Sequence, residues 1–437
     1  MKFISTLGQS PPASFRDALL RGLAPDGSLY VPESLPTLQP SFFGNFQRVS
    51  LHSIGQHVAS LFIEEIPAEH LRRIVQKAWD FPIPLMRLDA GIALLELFHG
   101  PTLAFKDVGA RFMAHALSYF LAREGKKLTI LVATSGDTGS AVAQGFFNIP
   151  HITVYILYPS GKISHLQEQQ MTTLGGNIRA MEIAGTFDDC QRIVKESLVD
   201  RDIVETRAVT TANSINIGRL LPQVVYYVWG FAQWKQLGVH GMSAPIVVVP
   251  SGNFGNLTAA VYAKWMGLPI RKVVAATNAN DVVPQYLASG KFIAKPSVQT
   301  LSNAMDVGNP SNLARLQALY HNEVQRLRED IDAASISDEE TLDEIRHTYD
   351  RTGYILDPHT AVGIAAMRKV VDWTSGSPPV IVAATAHPAK FPEVIRLAIN
   401  RPVPLPPELQ EALRRRKKSI RIGSRYQEWK EFFLSET

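Results

Sequence analysis

The chain has 437 residues, 46% of them hydrophobic and 19% charged, a balance that supplies a large core and excludes global disorder. A formal net charge of +4 is too small at this length for the dense basic face of a nucleic-acid binder. Cys190 is the only cysteine, which excludes an intrachain disulfide and fits a reducing, cytoplasmic setting.

At roughly 150 residues per domain, the length suggests two or three domains. The opening stretch "MKFISTLGQSPPASFRD" lacks the apolar centre of a secretion signal. The longest apolar runs, "PIVVVP" and "PPVIVAA", have strand length and fall short of a membrane span.

Along the chain, residues 1–85 read as short helices joined by Pro-rich turns. "SFRDALLRGLAPDGSLYVPE" pairs a Ser14 cap with a helical pattern and a Pro-Asp-Gly turn. "SIGQHVASLFI" and "PAEHLRRIVQKAW" are further helical candidates. Next comes "HGPTLAFKDVGARF", where Lys106 follows Phe105 and apolar neighbours. Such a lysine is either a solvated cation at a helix start or a nucleophile held in a pocket.

The pattern then changes. "KKLTILVATSGDTGSAVAQGFFN", "ITVYILYPSGKISHLQEQQMTTLG", "PIVVVPSGNFGNLTAAVYAKWMG", "RKVVAATNANDVVPQYL" and "PPVIVAATAHPAKFPEVIRLAI" each run from an apolar strand through a small polar loop into a helix. Strands apolar on both faces suit buried parallel sheets. Their alternation with helices predicts an α/β protein. In such sheets ligands bind beyond the carboxyl ends of the strands. The charged stretch 312–353, with a Ser337 cap, predicts surface helices. Seven Lys or Arg within 413–425 predict a solvated helix face or tail.

Five loops could do chemistry. "PSGNFGNL" offers Gly252 and Gly255 for close backbone approach at a helix N-terminus that suits a phosphate; its bland alternative is a tight turn. "ATSGDTGSA" offers hydroxyls and Asp137, which could equally be a helix cap. "TANSINIGRLLPQ" gathers Asn213, Ser214, Asn216 and Arg219. Its Asn and Ser could be turn residues, while the planar fork of Arg219 suits an oxyanion. "ATAHPAKF" leaves a strand at Thr385, and "LDPHTAVG" places His359 at a helix start. A sheltered lysine combined with several oxyanion loops suggests a cofactor carrying both an aldehyde and a phosphate. Pyridoxal phosphate meets that description.

"FHGPTLAFKDVGARF", "VATSGDTGSA", "NSINIGRLLPQ", "VPSGNFGNLTA", "AATNANDVVP", "TLSNAMDVGNPSN" and "TAHPAKF" together resemble the motifs of threonine synthases, in that family's order. The resemblance runs from about residue 14 to about residue 400. It implies the fold-type II pyridoxal phosphate architecture: two α/β domains with largely parallel sheets flanked by helices, plus a small N-terminal helical region. The expected divisions are 1–85, 86–215 and 216–437, in a soluble monomer or homodimer that binds no membrane.

By the same resemblance, Lys106 binds the cofactor covalently, and Gly252, Asn253, Phe254, Gly255 and Asn256 hold its phosphate. Asp137 stands where related enzymes place an Asn at the ring hydroxyl, and Thr385 faces the ring nitrogen. Ser135, Gly136 and Thr138 receive the substrate carboxylate. Lys162, Asn213, Ser214, Asn216 and Arg219 are candidates for the substrate phosphate. The implied reaction turns O-phospho-L-homoserine and water into L-threonine and phosphate. A lyase giving 2-oxobutyrate from the same substrate is the nearest alternative. One departure is "STLG", with Leu7 where many relatives have Arg.

Overall fold

The computed structural model describes residues 1–436 except 45, 47–48, 238–242 and 375–377. The first strands, β1 (Phe3–Ser5) and β2 (Tyr30–Pro32), form a small antiparallel pair. Two larger sheets carry the rest. One has the order β11 (Ile331–Ser335), β10 (Lys272–Thr277), β9 (Ile246–Pro250), β12 (Val380–Ala384), β4 (Ile92–Glu96), β3 (Leu85–Asp89). The other runs β13 (Ser419–Gly423), β7 (Ile178–Ala184), β6 (Ile152–Pro159), β5 (Leu128–Ala133), β8 (Val209–Thr211). Pairing in both is parallel except between β3 and β4.

The apolar strands behave as their composition demands. Every residue of β4, β5, β9 and β12 is buried, so each needs cover on both faces. The helix Pro358–Val370 packs on β9 and β12, Phe187–Ser197 on β5, and Gly255–Trp265 on β9, with the helix Ile217–Gln236 behind the last of these. Ile217–Gln236 is buried along most of its length and packs on the helices Lys106–Glu124, Gly255–Trp265 and Leu51–Phe62. Ser14 caps the helix Phe15–Arg21, and Ser337 caps Asp338–Thr352 with its own N–H donating in return to the Glu340 carboxylate, as their positions predict.

Three features depart from the linear reading. Within the charged stretch 312–353 lies β11, an edge strand of five residues. It is too short and too mixed in polarity to stand out from its helical flanks. The basic stretch 413–425 is not a loose tail. It ends the helix Pro407–Arg414 and then forms β13 on the edge of the smaller sheet. Lys417 Nζ lies 2.6 Å from Glu168 and 2.7 Å from Glu182. The chain also crosses the divisions at 86 and 216, since β4 joins the larger sheet and β13 the smaller. Local hydropathy carries no record of pairing partners so distant in sequence.

The final helix, Tyr426–Ser435, locks this segment down. Trp429 is fully buried, packs on Tyr155 and Phe433, and donates to Ser197 Oγ at 2.8 Å. Trp429→Ala should therefore cost about 3–5 kcal/mol of unfolding free energy in a urea titration. A change near zero would mean that the C-terminal segment lies outside the cooperative fold.

Candidate active site

Both sheets deliver their loops to one cavity of about 610 Å³, within the range of small-molecule sites. Ala133, Thr211, Pro250 and Thr385 line it from the carboxyl ends of β5, β8, β9 and β12. Lys106 enters from the loop that follows β4. The backbone holds that loop rigidly. Phe105 N–H donates to the Thr385 carbonyl at 2.9 Å, and His387 N–H to the Leu103 carbonyl at 3.1 Å. Leu103 takes a left-handed φ of 58° to make the turn.

Lys106 opens the helix Lys106–Glu124, yet it is not a solvated surface cation. Its side chain lines the cavity and makes no hydrogen bond or ion pair with the described residues; its Nζ stands 5.8 Å from the Phe105 ring centre. Burial pushes its amine down to about 8. Asp137 pulls it back up, while Lys390 and Arg219 push it further down.

Asp137 is the first residue of the helix Asp137–Phe146, but it does not cap it. Thr134 Oγ1 does that work, accepting from Gly136 N–H at 3.0 Å and Gly139 N–H at 2.8 Å. Gly136 has φ 146°, and a Cβ there would meet the Gln167 amide at 2.5 Å. The turn needs glycine on both counts. Asp137 is thus free to face the cavity, with Lys390 Nζ at 2.7 Å and Gln167 Nε2 at 3.0 Å from Oδ1. Burial resists its ionisation, but Lys390 and Lys106 hold it well below the usual carboxylate range.

Across the cavity lies the loop 250–256. Phe254 adopts a left-handed φ of 61° just before the helix Gly255–Trp265. Asn256 braces the turn through Pro250 O (2.7 Å) and Ser251 Oγ (2.8 Å). Asn253 is pinned by Ser214 Oγ (2.6 Å) and Ser311 N–H (2.6 Å). Among the described residues, no acceptor takes the backbone N–H groups of Gly252 through Asn256. Gly252 also sits so close to the segment 304–306 that a Cβ would lie 2.7 Å from Met305 Cα.

The other expected residues divide. Ser135, Thr138, Asn213, Ser214 and Arg219 line the cavity. Arg219 is almost fully buried, and its Nε has no partner. Asn216 is buried as the cap of the helix Ile217–Gln236, with its amide on Leu19 O (2.9 Å) and Thr211 O (3.0 Å). Lys162 is exposed in the turn after β6 and does not line the cavity. Leu7 is likewise exposed and away from the cavity wall.

These features fit pyridoxal phosphate. A low-pKa amine suits its aldehyde. A row of unsatisfied N–H groups at a helix N-terminus suits its phosphate. The chain also matches family models for pyridoxal-phosphate dependent enzymes over residues 81–385, the threonine synthase N terminus over 2–79 and the threonine synthase C-terminal region over 360–432. Threonine synthase from Serratia marcescens is 42% identical across 94% of this chain and 93% of that protein. The chain belongs to the threonine synthase family.

Other members agree. The Escherichia coli (strain K12) threonine synthase is 41% identical, with 94% of each chain covered. The crystal structure of the Escherichia coli enzyme superposes with a TM-score of 0.93 over the whole of both chains at 38% identity. The Brucella melitensis enzyme, solved with pyridoxal phosphate bound, gives 0.92 at 36% identity, covering 99% of this chain and 98% of that one. The fold is therefore fold-type II, and the cofactor is pyridoxal phosphate. No helix among the described residues is long and apolar enough to cross a membrane.

Two further groups bear on the site, His359, which the sequence places at a helix start, and Lys390, which a residue-by-residue reading misses. His359 lines the cavity with its Nδ1 on Asp357 at 2.8 Å, while its Nε2 accepts from Ala304 N–H at 3.2 Å. That accepted bond fixes the neutral tautomer with the proton on Nδ1. Thr360 donates to the same Asp357, and its Oγ1 accepts from Thr385 N–H at 3.3 Å. Lys390 is the other group. Its signal was a lone lysine in a small, apolar stretch straight after a buried strand.

In cofactor-free protein, Lys106 should label with a pH midpoint near 8 in place of the ordinary 10.5. Between those values the unfolded chain holds a proton that the folded chain has lost. This group therefore makes stability rise with pH across that window. Amine labelling read by mass spectrometry checks it, and a midpoint above 10 would refute an enclosed amine.

Proposed function

We propose that this chain converts O-phospho-L-homoserine and water into L-threonine and inorganic phosphate. The observation that carries the proposal is the unpaired, low-pKa Lys106 facing a separate row of unsatisfied N–H groups across one cavity. When bound, pyridoxal phosphate supplies an electron sink that lets protons leave the carbons near the substrate's amino group.

The chain's own residues then have distinct tasks. Lys106 anchors the cofactor; once released as a neutral amine, it takes and returns protons at the substrate's carbons. The N–H groups of Gly252, Asn253, Phe254, Gly255 and Asn256 hold the cofactor phosphate. Asp137 accepts from the ring hydroxyl. Thr385 presents a hydroxyl to the ring nitrogen, and without a carboxylate there that nitrogen is not held protonated. Ser135 and Thr138, which line the cavity, receive the α-carboxylate, while Gly136, with its N–H on Thr134, shapes the turn between them. Arg219 and Ser214 line the cavity and are the candidates for the substrate phosphate. Lys162 faces solvent, and the amides of Asn213 and Asn216 are spent on neighbouring groups, so these three are the weaker part of the set.

Incubation of the purified protein with O-phosphohomoserine should yield threonine and phosphate in equal amounts. Stoichiometric 2-oxobutyrate without threonine would overturn the assignment. Gly252→Ala tests the phosphate loop. Its Cβ must push the segment at Met305, a strain of about 1–3 kcal/mol. Cofactor affinity should then fall about tenfold for each 1.4 kcal/mol that reaches the bound state. Unchanged affinity in equilibrium dialysis would remove this loop from the cofactor site.

A further inference from the structure

Lys390 sits behind Asp137, outside the cavity lining, and belongs to none of the tasks above. Its side chain is fully enclosed. Its Nζ donates to Asp137 Oδ1 at 2.7 Å and to the Thr102 carbonyl at 2.9 Å. Both partners are next to the reactive lysine. Asp137 faces it across the cavity wall, and Thr102 begins the turn that ends at Lys106.

Thr102 is itself a hub. Its N–H and Oγ1 donate to Asp107 at 2.8 and 2.7 Å, and its carbonyl also accepts from Gln170 Nε2 at 3.2 Å. Lys390 thereby joins the loop after β12, the helix that begins at Asp137 and the turn before Lys106. A satellite apolar cluster of Leu103, Ala389 and Leu409 seals the same place from behind.

We propose that Lys390 is a positioning residue that neutralises Asp137, so that the carboxylate beside Lys106 stays ionised without drawing a proton onto the Lys106 amine. The alternatives for a buried carboxylate are few. An unpaired one is costly and either takes a proton or recruits a cation. The nearest available cation would be Lys106 itself. Such a pairing would protonate the amine that must act as a base. With Lys390 on Oδ1, Asp137 already has its counter-charge, and Oδ2 takes no hydrogen bond among the described residues. That oxygen remains for a ligand hydroxyl.

The charged surroundings are complete enough to read the test. Lys106 faces Asp137, Lys390 and Arg219. Asp137 faces Lys390, Lys106 and His359. Asp107 faces Lys390 and Arg111, and burial pushes it up to about 6. Lys390 is the one group among these that opposes Asp137 by direct contact with it.

The inference rests on Lys106 being the cofactor's lysine. Threonine formation by the wild-type chain, measured separately, tests that reading. The test of Lys390 uses full-length Lys390→Met and Lys390→Arg. Two midpoints are followed: pH-dependent labelling of Lys106 in cofactor-free protein, and pH-dependent visible absorbance of the loaded enzyme. Lys390→Met should raise both by about one unit, leaving about tenfold less neutral amine at neutral pH. Lys390→Arg, which keeps the charge, should stay at the wild-type values. Unchanged midpoints in a folded Lys390→Met, or an Arg variant shifted as far as the Met variant, would overturn the proposal. Should Lys390→Met not fold, Lys390→Gln takes its place, since it keeps a donor for Asp137 and removes the charge. A raised Lys106 midpoint in folded Lys390→Gln supports the role, and a wild-type midpoint refutes it.

Discussion

The site depends on one electrostatic constraint. A lysine must be kept uncharged and a carboxylate charged in the same enclosed cavity. Burial disfavours both charges, so burial alone would neutralise the pair. The chain separates their fates by position. Asp137 sits against the fully enclosed ammonium of Lys390 and the amide of Gln167. Lys106 has an aromatic ring at 5.8 Å and no hydrogen-bonding partner among the described residues, and the repulsion of Lys390 and Arg219 works against the attraction of Asp137. The same dry environment therefore leaves an ionised acceptor and a basic amine side by side.

Holding that arrangement requires both sheets. Lys106 and Thr385 follow adjacent strands of the larger sheet, β4 and β12, and backbone bonds between residues 103–105 and 385–387 fix their loops together. Asp137 comes from β5 of the smaller sheet. It reaches its partner Lys390, which belongs to the larger sheet's loop. The Lys390–Asp137 contact is thus also a tie between the two halves of the cavity. A parallel α/β design makes this possible because the parallel strands of a sheet end on the same side.

The sequence disclosed the chemistry more readily than the connections. Strands such as "TILVA" and "IVVVP" announce themselves by composition, and the small loops after them mark the cavity. What stayed hidden depended on distant partners. β11 and β13 are short edge strands with mixed polarity, and nothing local shows which strand they meet. Lys162 and Asn216 looked alike as polar residues near a loop. Only packing reveals that one faces solvent and the other is spent on Leu19 and Thr211 carbonyls. Lys390 was masked for the opposite reason, since a lysine after a strand ordinarily reaches water.

The N-terminal region is joined to the site by a second buried cation. Arg315 is fully enclosed, yet among the described residues its guanidinium meets no carboxylate. It donates instead to the carbonyls of Tyr30 (2.9 Å), Ser214 (3.2 Å) and Ile215 (2.6 Å), and to Asn312 Oδ1 at 2.5 Å. Burial lowers its pKa only to about 10, so it stays charged at neutral pH. Asn312 in turn donates to the Asn253 carbonyl at 2.9 Å. An unbroken set of bonds therefore runs from β2 through Arg315 to the loop whose free N–H groups line the cavity. A cation balanced only by carbonyl dipoles leaves a net positive potential behind that loop. Potential of that sign favours a bound phosphate, and the Tyr30 carbonyl of the N-terminal region is one of the acceptors that hold the guanidinium there. The first eighty residues are in this sense part of the anion site rather than a separate appendage.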